Sequence, residues 1–173
     1  MNRPSVSEFN PRFQYYVNLV EEGEFFELFA ENTIKTVGYF KSIPAKNLND
    51  KYAIDKWTIK EVLMHIIDTE RAFAYRAFVC GRGDAETPLY GMDENLYNKN
   101  TDVTNRTIDS LLAEFVTVRN NSTVFFENLT DEQSQFLGNA ISYKVSARAL
   151  AYIMIGHVSH HINIITERYL QHE

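Results

Sequence analysis

Four long segments with apolar residues at helical spacing constrain the fold of this chain more than any other feature. They cover residues 23–39, 58–81, 107–129 and the chain from about 145 onward. Gly and Pro, which most often interrupt helices, number only 7 and 4 and fall mostly between these segments. No stretch shows a convincing alternation of apolar and polar residues. The sequence therefore predicts an all-α fold, a four-helix bundle that forms one domain over residues 1–173.

The second segment has the clearest boundaries. Thr58 is placed to cap its first turn, and Glu61, three residues later, completes a capping box. Cys80 and Gly81 mark its end. The polar stretch that follows, residues 81–105, is long for a connection inside a compact domain, and such connections are often functional. We interpret it as an ordered crossover or lid between the second and third helices.

Charge and composition exclude several classes of function. The formal net charge is −6 and the pI about 5.4, so most of the surface would repel nucleic-acid phosphates. The longest uncharged apolar run, residues 149–156, is far too short to span a bilayer, and residues 1–20 contain no apolar signal region. The single cysteine allows no internal disulfide. We expect a cytoplasmic protein that binds neither nucleic acid nor membranes.

Two histidines on the fourth segment point to a metal site. His157 and His161 are one helical turn apart and lie within the apolar arc of that helix, so both face the bundle interior. Buried imidazoles need partners for their ring nitrogens, and one divalent cation satisfies both. The alternative is that they are two core histidines bonded to backbone or carboxylate groups.

A third ligand has to come from a facing helix. His65 on the second segment is the only histidine available there, although it sits beside the apolar stripe of its helix, roughly 60° outside Val62. His160 falls at the edge of the arc and is better placed to support a ligand than to coordinate. Three nitrogens would leave open positions for water or a substrate.

Three further residues raise a question of role. Glu70 lies near the middle of the apolar stripe and needs a cationic partner, so it is a structural ion pair or a general base. Its candidate partners are Arg71, Arg76 and Arg168. Asp68 is expected to be solvated. No sequence motif places a general base and an orienting residue beside Cys80, so we do not expect it to be a nucleophile.

Several motifs make the chain similar to the DinB superfamily, a group of helical metalloproteins that includes thiol-dependent S-transferases and mycothiol-dependent isomerases. They are Lys56-Trp57-Thr58-Ile59-Lys60-Glu61-Val62 with His65, residues 68–76, Gly156-His157-Val158-Ser159-His160-His161, and residues 167–170. The loop segments 82–84 and 89–94 resemble one branch of the family, except that Tyr90 and Met92 replace the expected Pro and Phe.

The resemblance implies a bundle in which His65, His157 and His161 hold a divalent ion, zinc or nickel. It also implies an enzyme that activates a thiol or water for S-transfer or hydrolysis of a small-molecule substrate, and it favours a homodimer. Two alternatives remain open at this point. In the first, the same site captures a metal or small ligand without turnover. In the second, the histidines are structural and the bundle is an interaction module.

Overall fold

Four long helices and three short ones make up most of the part of the chain that the computed structural model describes, residues 1–170. In chain order they are α1 (Gln14–Asn18), α2 (Phe25–Ser42), α3 (Ile59–Gly81), α4 (Glu94–Lys99), α5 (Ile108–Glu127), α6 (Asp131–Gln135) and α7 (Ala147–Arg168). Short 3-10 turns occupy Val6–Glu8, Pro11–Phe13 and Ala45–Asn47. No helix within residues 1–170 is long and apolar enough to cross a membrane. The long helices α2, α3, α5 and α7 form the predicted bundle, so the fold prediction is confirmed.

Helix α3 begins and ends where the sequence predicts. Thr58 Oγ1 accepts a hydrogen bond from the Glu61 backbone N–H at 3.2 Å, and the Glu61 carboxylate accepts one from the Thr58 N–H at 2.6 Å. This reciprocal pair satisfies two backbone donors that the first helical turn leaves open. Because His65 lies one turn after Glu61, the cap also helps to fix the direction in which the His65 side chain projects from the helix.

A short hairpin precedes α7, and the sequence pattern does not predict it. Strands β1 (Leu137–Asn139) and β2 (Lys144–Ser146) pair antiparallel, with Gly138 opposite Val145. Three residues offer too few positions for an alternating pattern to be recognised. Helix α7 therefore begins at Ala147 rather than near Val145, and Ser146 Oγ caps it by accepting the Ala149 N–H at 3.0 Å.

The apolar core forms two clusters along the bundle. One contains the stacked rings of Phe25 and Phe29 with Phe126 packed edge-on against them, and the other includes Phe40 and Phe115. Helices α3 and α7 contribute side chains to both clusters. Their relative position is thus fixed at two levels of the bundle, which matters because these two helices carry the candidate ligands.

A buried ion pair joins α3 to α5 inside this core. Glu70 is 3% exposed and Arg119 is 1% exposed. Arg119 donates from Nε to Glu70 Oε2 at 2.9 Å, its Nη2 lies 2.7 Å from the same oxygen, and its Nη1 donates to Asn32 Oδ1 at 3.1 Å. Glu70 therefore has a structural cationic partner, as predicted. The partner is none of the three candidates chosen from the sequence, which were Arg71, Arg76 and Arg168.

The connection between α3 and α5 is ordered and partly packed against the bundle. It contains α4, and its residues Leu89 and Val103 are buried. The Leu89 N–H donates to the Asn139 carbonyl at 2.9 Å, which ties the connection to β1. Asp93 caps α4 by accepting the Leu96 N–H. The predicted ordered connection is present, and its role as a lid stays a prediction.

The N-terminal segment is fastened to the start of α7 by Glu8. Its carboxylate accepts hydrogen bonds from Ser146 Oγ at 2.8 Å and from Arg148 Nε at 2.6 Å. Burial raises the pKa of Glu8, but the bonds from Arg148, Ser5 and Ser146 outweigh it and lower the pKa to about 2. The ionised carboxylate is thus the form that the fold stabilises.

We expect acid to weaken this link. Because the pKa of Glu8 is about 2 in the folded protein and 4.5 as a free group, its contribution is complete above pH 4.5 and is lost as the pH falls towards 2. Glu8→Gln should lower the free energy of unfolding by about 2 kcal/mol at pH 7, and the difference from wild type should shrink between pH 4.5 and 2. Urea unfolding at several pH values measures this. Glu22→Gln, at an exposed ion pair with Arg3, is the control, and an equal loss there would contradict the prediction.

Candidate metal centre

Three histidine side chains from α3 and α7 meet inside the bundle. Nε2 of His157 lies 3.2 Å from Nε2 of His65 and 3.0 Å from Nε2 of His161. One possible ligand atom from each of the three residues falls within 4.8 Å of the others. His157 and His161 are one turn apart on α7, and His65 reaches them from α3. The structure thus brings together the three residues that the sequence singles out as ligands.

The environment of these histidines keeps their rings uncharged. His65 and His157 are each 7% exposed, and His161 is partly exposed. Burial lowers the pKa of His65 to about 4 and that of His161 to about 3, and it lowers the pKa of His157 well below its usual range. The neighbouring imidazoles act in the same direction, since a second positive charge nearby disfavours protonation. At neutral pH each ring therefore has a nitrogen lone pair free for a cation.

The nitrogen positions fit one cation better than they fit mutual hydrogen bonds. A neutral imidazole nitrogen either donates one proton or accepts at one lone pair. Nε2 of His157 has two nitrogen neighbours at hydrogen-bond distance, so hydrogen bonding alone satisfies only one of them. With bonds of about 2.1 Å, ligands of one ion lie about 3.0 Å apart at octahedral angles and about 3.4 Å apart at tetrahedral angles. The two separations from His157 Nε2 fall at or within these values, and all three candidate ligand atoms lie within 4.8 Å of one another.

A cavity of about 560 Å³ opens beside the histidines and is lined by His65 and His157. Thr69, one turn after His65, also lines it and places its Oγ1 3.5 Å from His65 Nε2. Tyr16 and Phe73 form apolar wall near His157, with ring centroids 5.6 and 6.3 Å from the imidazole. A small molecule that enters this cavity reaches the edge of the candidate site.

A comparison with models of known protein families identifies the family of this chain. The family model described as the DinB superfamily matches residues 28–165, a range that includes all three histidines. The chain belongs to the DinB superfamily. The resemblance drawn from the sequence motifs is therefore confirmed. No protein with a curated description matches this DinB-superfamily chain.

Solved structures with the same fold include two from Bacillus subtilis. YfiT, described as a probable metal-dependent hydrolase with an unusual four-helix bundle topology, aligns with a TM-score of 0.72 at 17% identity, covering 96% of this chain and 90% of YfiT. The DinB-like protein YjoA aligns with a TM-score of 0.59 at 22% identity, covering 87% and 94%. A mycothiol-dependent maleylpyruvate isomerase aligns with a TM-score of 0.62 at 14% identity, covering 80% of this chain and 58% of the isomerase. At these identities the likeness establishes the fold.

Two residues that line the cavity of this DinB-superfamily protein, Thr69 and Tyr16, are not predicted from the sequence. Thr69 follows His65 by four residues, so helical spacing is a signal that places it on the same face. Tyr16 has no comparable signal, because it belongs to α1, a helix of five residues whose position depends on packing. Its backbone carbonyl lies against Gly156 on α7, immediately before His157.

His160 is not one of the three candidate ligands, although its ring centroid lies 5.1 Å from that of His161. His160 packs its ring against Tyr15 and Tyr16, with centroids 5.5 Å away in each case. Its Nδ1 is buried without a hydrogen-bond partner among residues 1–170. It does not belong to the group of three possible ligands. His172, the fifth histidine of the sequence, lies outside the described residues.

Cys80 is buried, in agreement with the expectation that it is not a nucleophile, whereas Asp68 is less solvated than expected. The Cys80 thiol is fully buried and donates to the Val145 carbonyl at 3.4 Å. Burial raises its pKa to about 11, although a backbone N–H at Gly138 favours the thiolate. Asp68 is partly exposed and accepts a hydrogen bond from Arg71 at 3.2 Å.

Proposed function

We propose that this protein is a divalent-metal-dependent enzyme that activates water or a low-molecular-weight thiol against a small-molecule substrate. Its ligands are His65, His157 and His161, and zinc or nickel suits three imidazole nitrogens. The single observation that carries the proposal is the convergence of three uncharged Nε2 atoms beside a cavity. The descriptions of YfiT as a probable metal-dependent hydrolase and of the isomerase as mycothiol-dependent support the two branches of this chemistry.

The chain prepares the site by supplying neutral ligands on a rigid frame. Burial removes the competition from protons that would otherwise occupy the nitrogens. Helices α3 and α7 hold the rings because both helices are packed into the core at two levels. A bound divalent ion lowers the pKa of a water or thiol towards neutrality and so supplies the nucleophile. Thr69 Oγ1, beside His65 Nε2, is placed to hydrogen-bond a polar group in the cavity.

Metal analysis of the purified protein tests the ligand set. We expect about one zinc or nickel ion per wild-type chain and loss of that ion in His65→Ala, His157→Ala and His161→Ala, because two remaining nitrogens bind a divalent ion far more weakly. Inductively coupled plasma mass spectrometry measures the stoichiometry. His160→Ala is the matched control and should keep the ion. Full occupancy in all three ligand variants would contradict the proposed site.

Activity assays separate turnover from capture. Metal-loaded protein is incubated with bacillithiol, mycothiol or glutathione and an electrophile, and separately with ester and amide substrates, before and after treatment with a chelator. We expect product that depends on the ion. Saturable metal binding with no product in any assay supports a non-catalytic binding protein, and a thermal unfolding midpoint that does not change on metal removal supports structural histidines.

A cytoplasmic location, a homodimer and the absence of nucleic-acid partners stay predictions. The formal net charge of −6 supports the last of these.

A further inference from the structure

Two arginines line the cavity beside the three histidines without a carboxylate partner. Arg12 precedes α1 and Arg76 lies on α3, and both border the same cavity as His65 and His157. Most of the other arginines with a role in the fold pair with carboxylates, as Arg119 does with Glu70. Within residues 1–170, no carboxylate oxygen forms an ion pair with Arg12 or Arg76 at 4.0 Å or less.

Arg76 is the more unusual of the two because it is buried. It is 7% exposed, and the one hydrogen bond it donates among the described residues runs from Nη2 to the Tyr90 carbonyl at 2.6 Å. A guanidinium has five N–H donors and cannot lose its charge at neutral pH, so its burial is costly unless anions or carbonyls compensate it. Its guanidinium also lies 5.5 Å from the centre of the Phe73 ring. Its other N–H groups have no hydrogen-bond partner among residues 1–170, and Arg76 lines this cavity and a neighbouring one, so these donors are available to a ligand.

Arg12 adds a second positive charge on the same side. It is exposed and lies over the rings of Phe13 and Tyr143, at 4.7 and 5.6 Å. Its charge reaches Arg76, since it contributes to lowering the pKa of that guanidinium, although burial is the larger cause. The two guanidinium groups therefore repel each other, and an anion bound beside them reduces that repulsion.

The charge of the whole cavity limits the kind of anion. Asp93 and Glu94 also line it, from the connection that leads into α4. Two arginines and two carboxylates leave the lining with no net formal charge, while the histidines are neutral. Before any metal binds, Asp93 and Glu94 repel a doubly charged phosphate in this cavity more strongly than a singly charged carboxylate. The aromatic rings of Phe13, Tyr16 and Phe73 suit an organic body attached to that carboxylate.

We propose that the substrate or co-substrate of this site carries a carboxylate that Arg76 and Arg12 bind, while its reactive group lies at the three histidines. The carboxylate site is inferred from the two arginines alone, whereas the placement of the reactive group at the histidines rests on the proposed function. A guanidinium and a carboxylate form paired, charge-assisted hydrogen bonds, which favour one orientation of the ligand. Arg76 and Arg12 thus act as specificity-determining residues.

Titration with a matched pair of probes tests the proposal. Isothermal titration calorimetry compares 3-mercaptopropionate with its uncharged amide on the zinc-loaded protein. We expect the carboxylate to bind at least about tenfold more tightly than the amide, as charge-assisted bonds predict. Arg76→Gln should reduce the preference below about threefold. Arg12→Gln, at an exposed position, should reduce it partly and provides the answer if Arg76→Gln does not fold. Arg82→Gln, an exposed arginine outside the cavity, should keep the full preference.

A second pair of probes keeps this test independent of the metal. Butyrate and butyramide are compared on chelator-treated protein by ligand-observed nuclear magnetic resonance, and we again expect the carboxylate to be preferred in wild type but not in Arg76→Gln. If the protein binds no metal and butyrate is still preferred, the proposed function fails while the carboxylate site stands. If metal binds and both probe pairs show equal affinities, the carboxylate site is overturned while the metal centre stands.

Discussion

Replacing Gly156 with alanine is expected to lower the free energy of unfolding by about 3 kcal/mol and to displace α1 from α7. A Cβ at this position would lie 1.9 Å from the Tyr16 carbonyl oxygen and 2.5 Å from its carbonyl carbon. Both atoms are backbone, so no side-chain rotation relieves the overlap and the whole of α1 has to move. Urea unfolding at neutral pH measures the loss.

The same substitution should also alter the candidate site. Gly156 immediately precedes His157, and Tyr16 lines the cavity. If α1 moves away, the cavity widens on the Tyr16 side while the three candidate ligands on α3 and α7 stay in place. We therefore expect retained metal stoichiometry and weakened binding of small molecules.

Gly38→Ala is the matched control for this prediction. Gly38 lies inside α2, and a Cβ there would meet nothing within 4 Å. Alanine is favoured over glycine in a helix interior by up to about 1 kcal/mol, so this variant should be as stable as wild type or more so. Equal destabilisation by the two substitutions would show that the contact between Tyr16 and Gly156 is not the cause.

Replacing Arg119 with methionine is the second change with a large expected effect. It leaves the Glu70 carboxylate buried in the core without a cation, and removing one partner of a buried ion pair typically costs about 3–5 kcal/mol. Asn32 also loses the donor that its Oδ1 accepts from. A domain of ordinary stability has about 5–15 kcal/mol in total, so the loss should be evident as a large shift of the urea unfolding midpoint.

A double variant shows whether the cost comes from the unpaired charge. Glu70→Leu together with Arg119→Met removes both charges and replaces them with apolar groups, which is often neutral or stabilising relative to the buried pair. We expect the double variant to recover most of the stability that Arg119→Met loses. If instead the double variant loses as much stability as Glu70→Leu and Arg119→Met lose together, the pair contributes through packing against Phe29 and Phe115 rather than through charge.

Predictions from local patterns agree best with the structure. The capping box of Thr58 and Glu61 is read from four consecutive residues, and the helix that follows begins and ends as predicted. The pair His157 and His161 needs only the helical period to share a face. Both features depend on one element at a time, so neighbouring elements have little influence on them.

Features that depend on how helices meet are harder to predict. On its own helix His65 lies beside the apolar stripe rather than in it, yet it is buried because α7 packs against that edge. Glu70 takes Arg119, 49 residues away, since α5 brings that arginine into the core. Two of the candidates chosen from the sequence, Arg71 and Arg76, lie on the same helix as Glu70, and the third, Arg168, lies on α7. A helical wheel drawn for one helix does not show which face α5 presents to it.

The burial of Cys80 has a practical meaning for thiol chemistry at this protein. With a pKa of about 11, only about one molecule in ten thousand carries the sulfur in its reactive form at pH 7. Alkylating reagents and colorimetric disulfide reagents should therefore react with added thiols and not with Cys80 of the folded protein. The buried Cys80 thus does not compete with an added thiol in such assays.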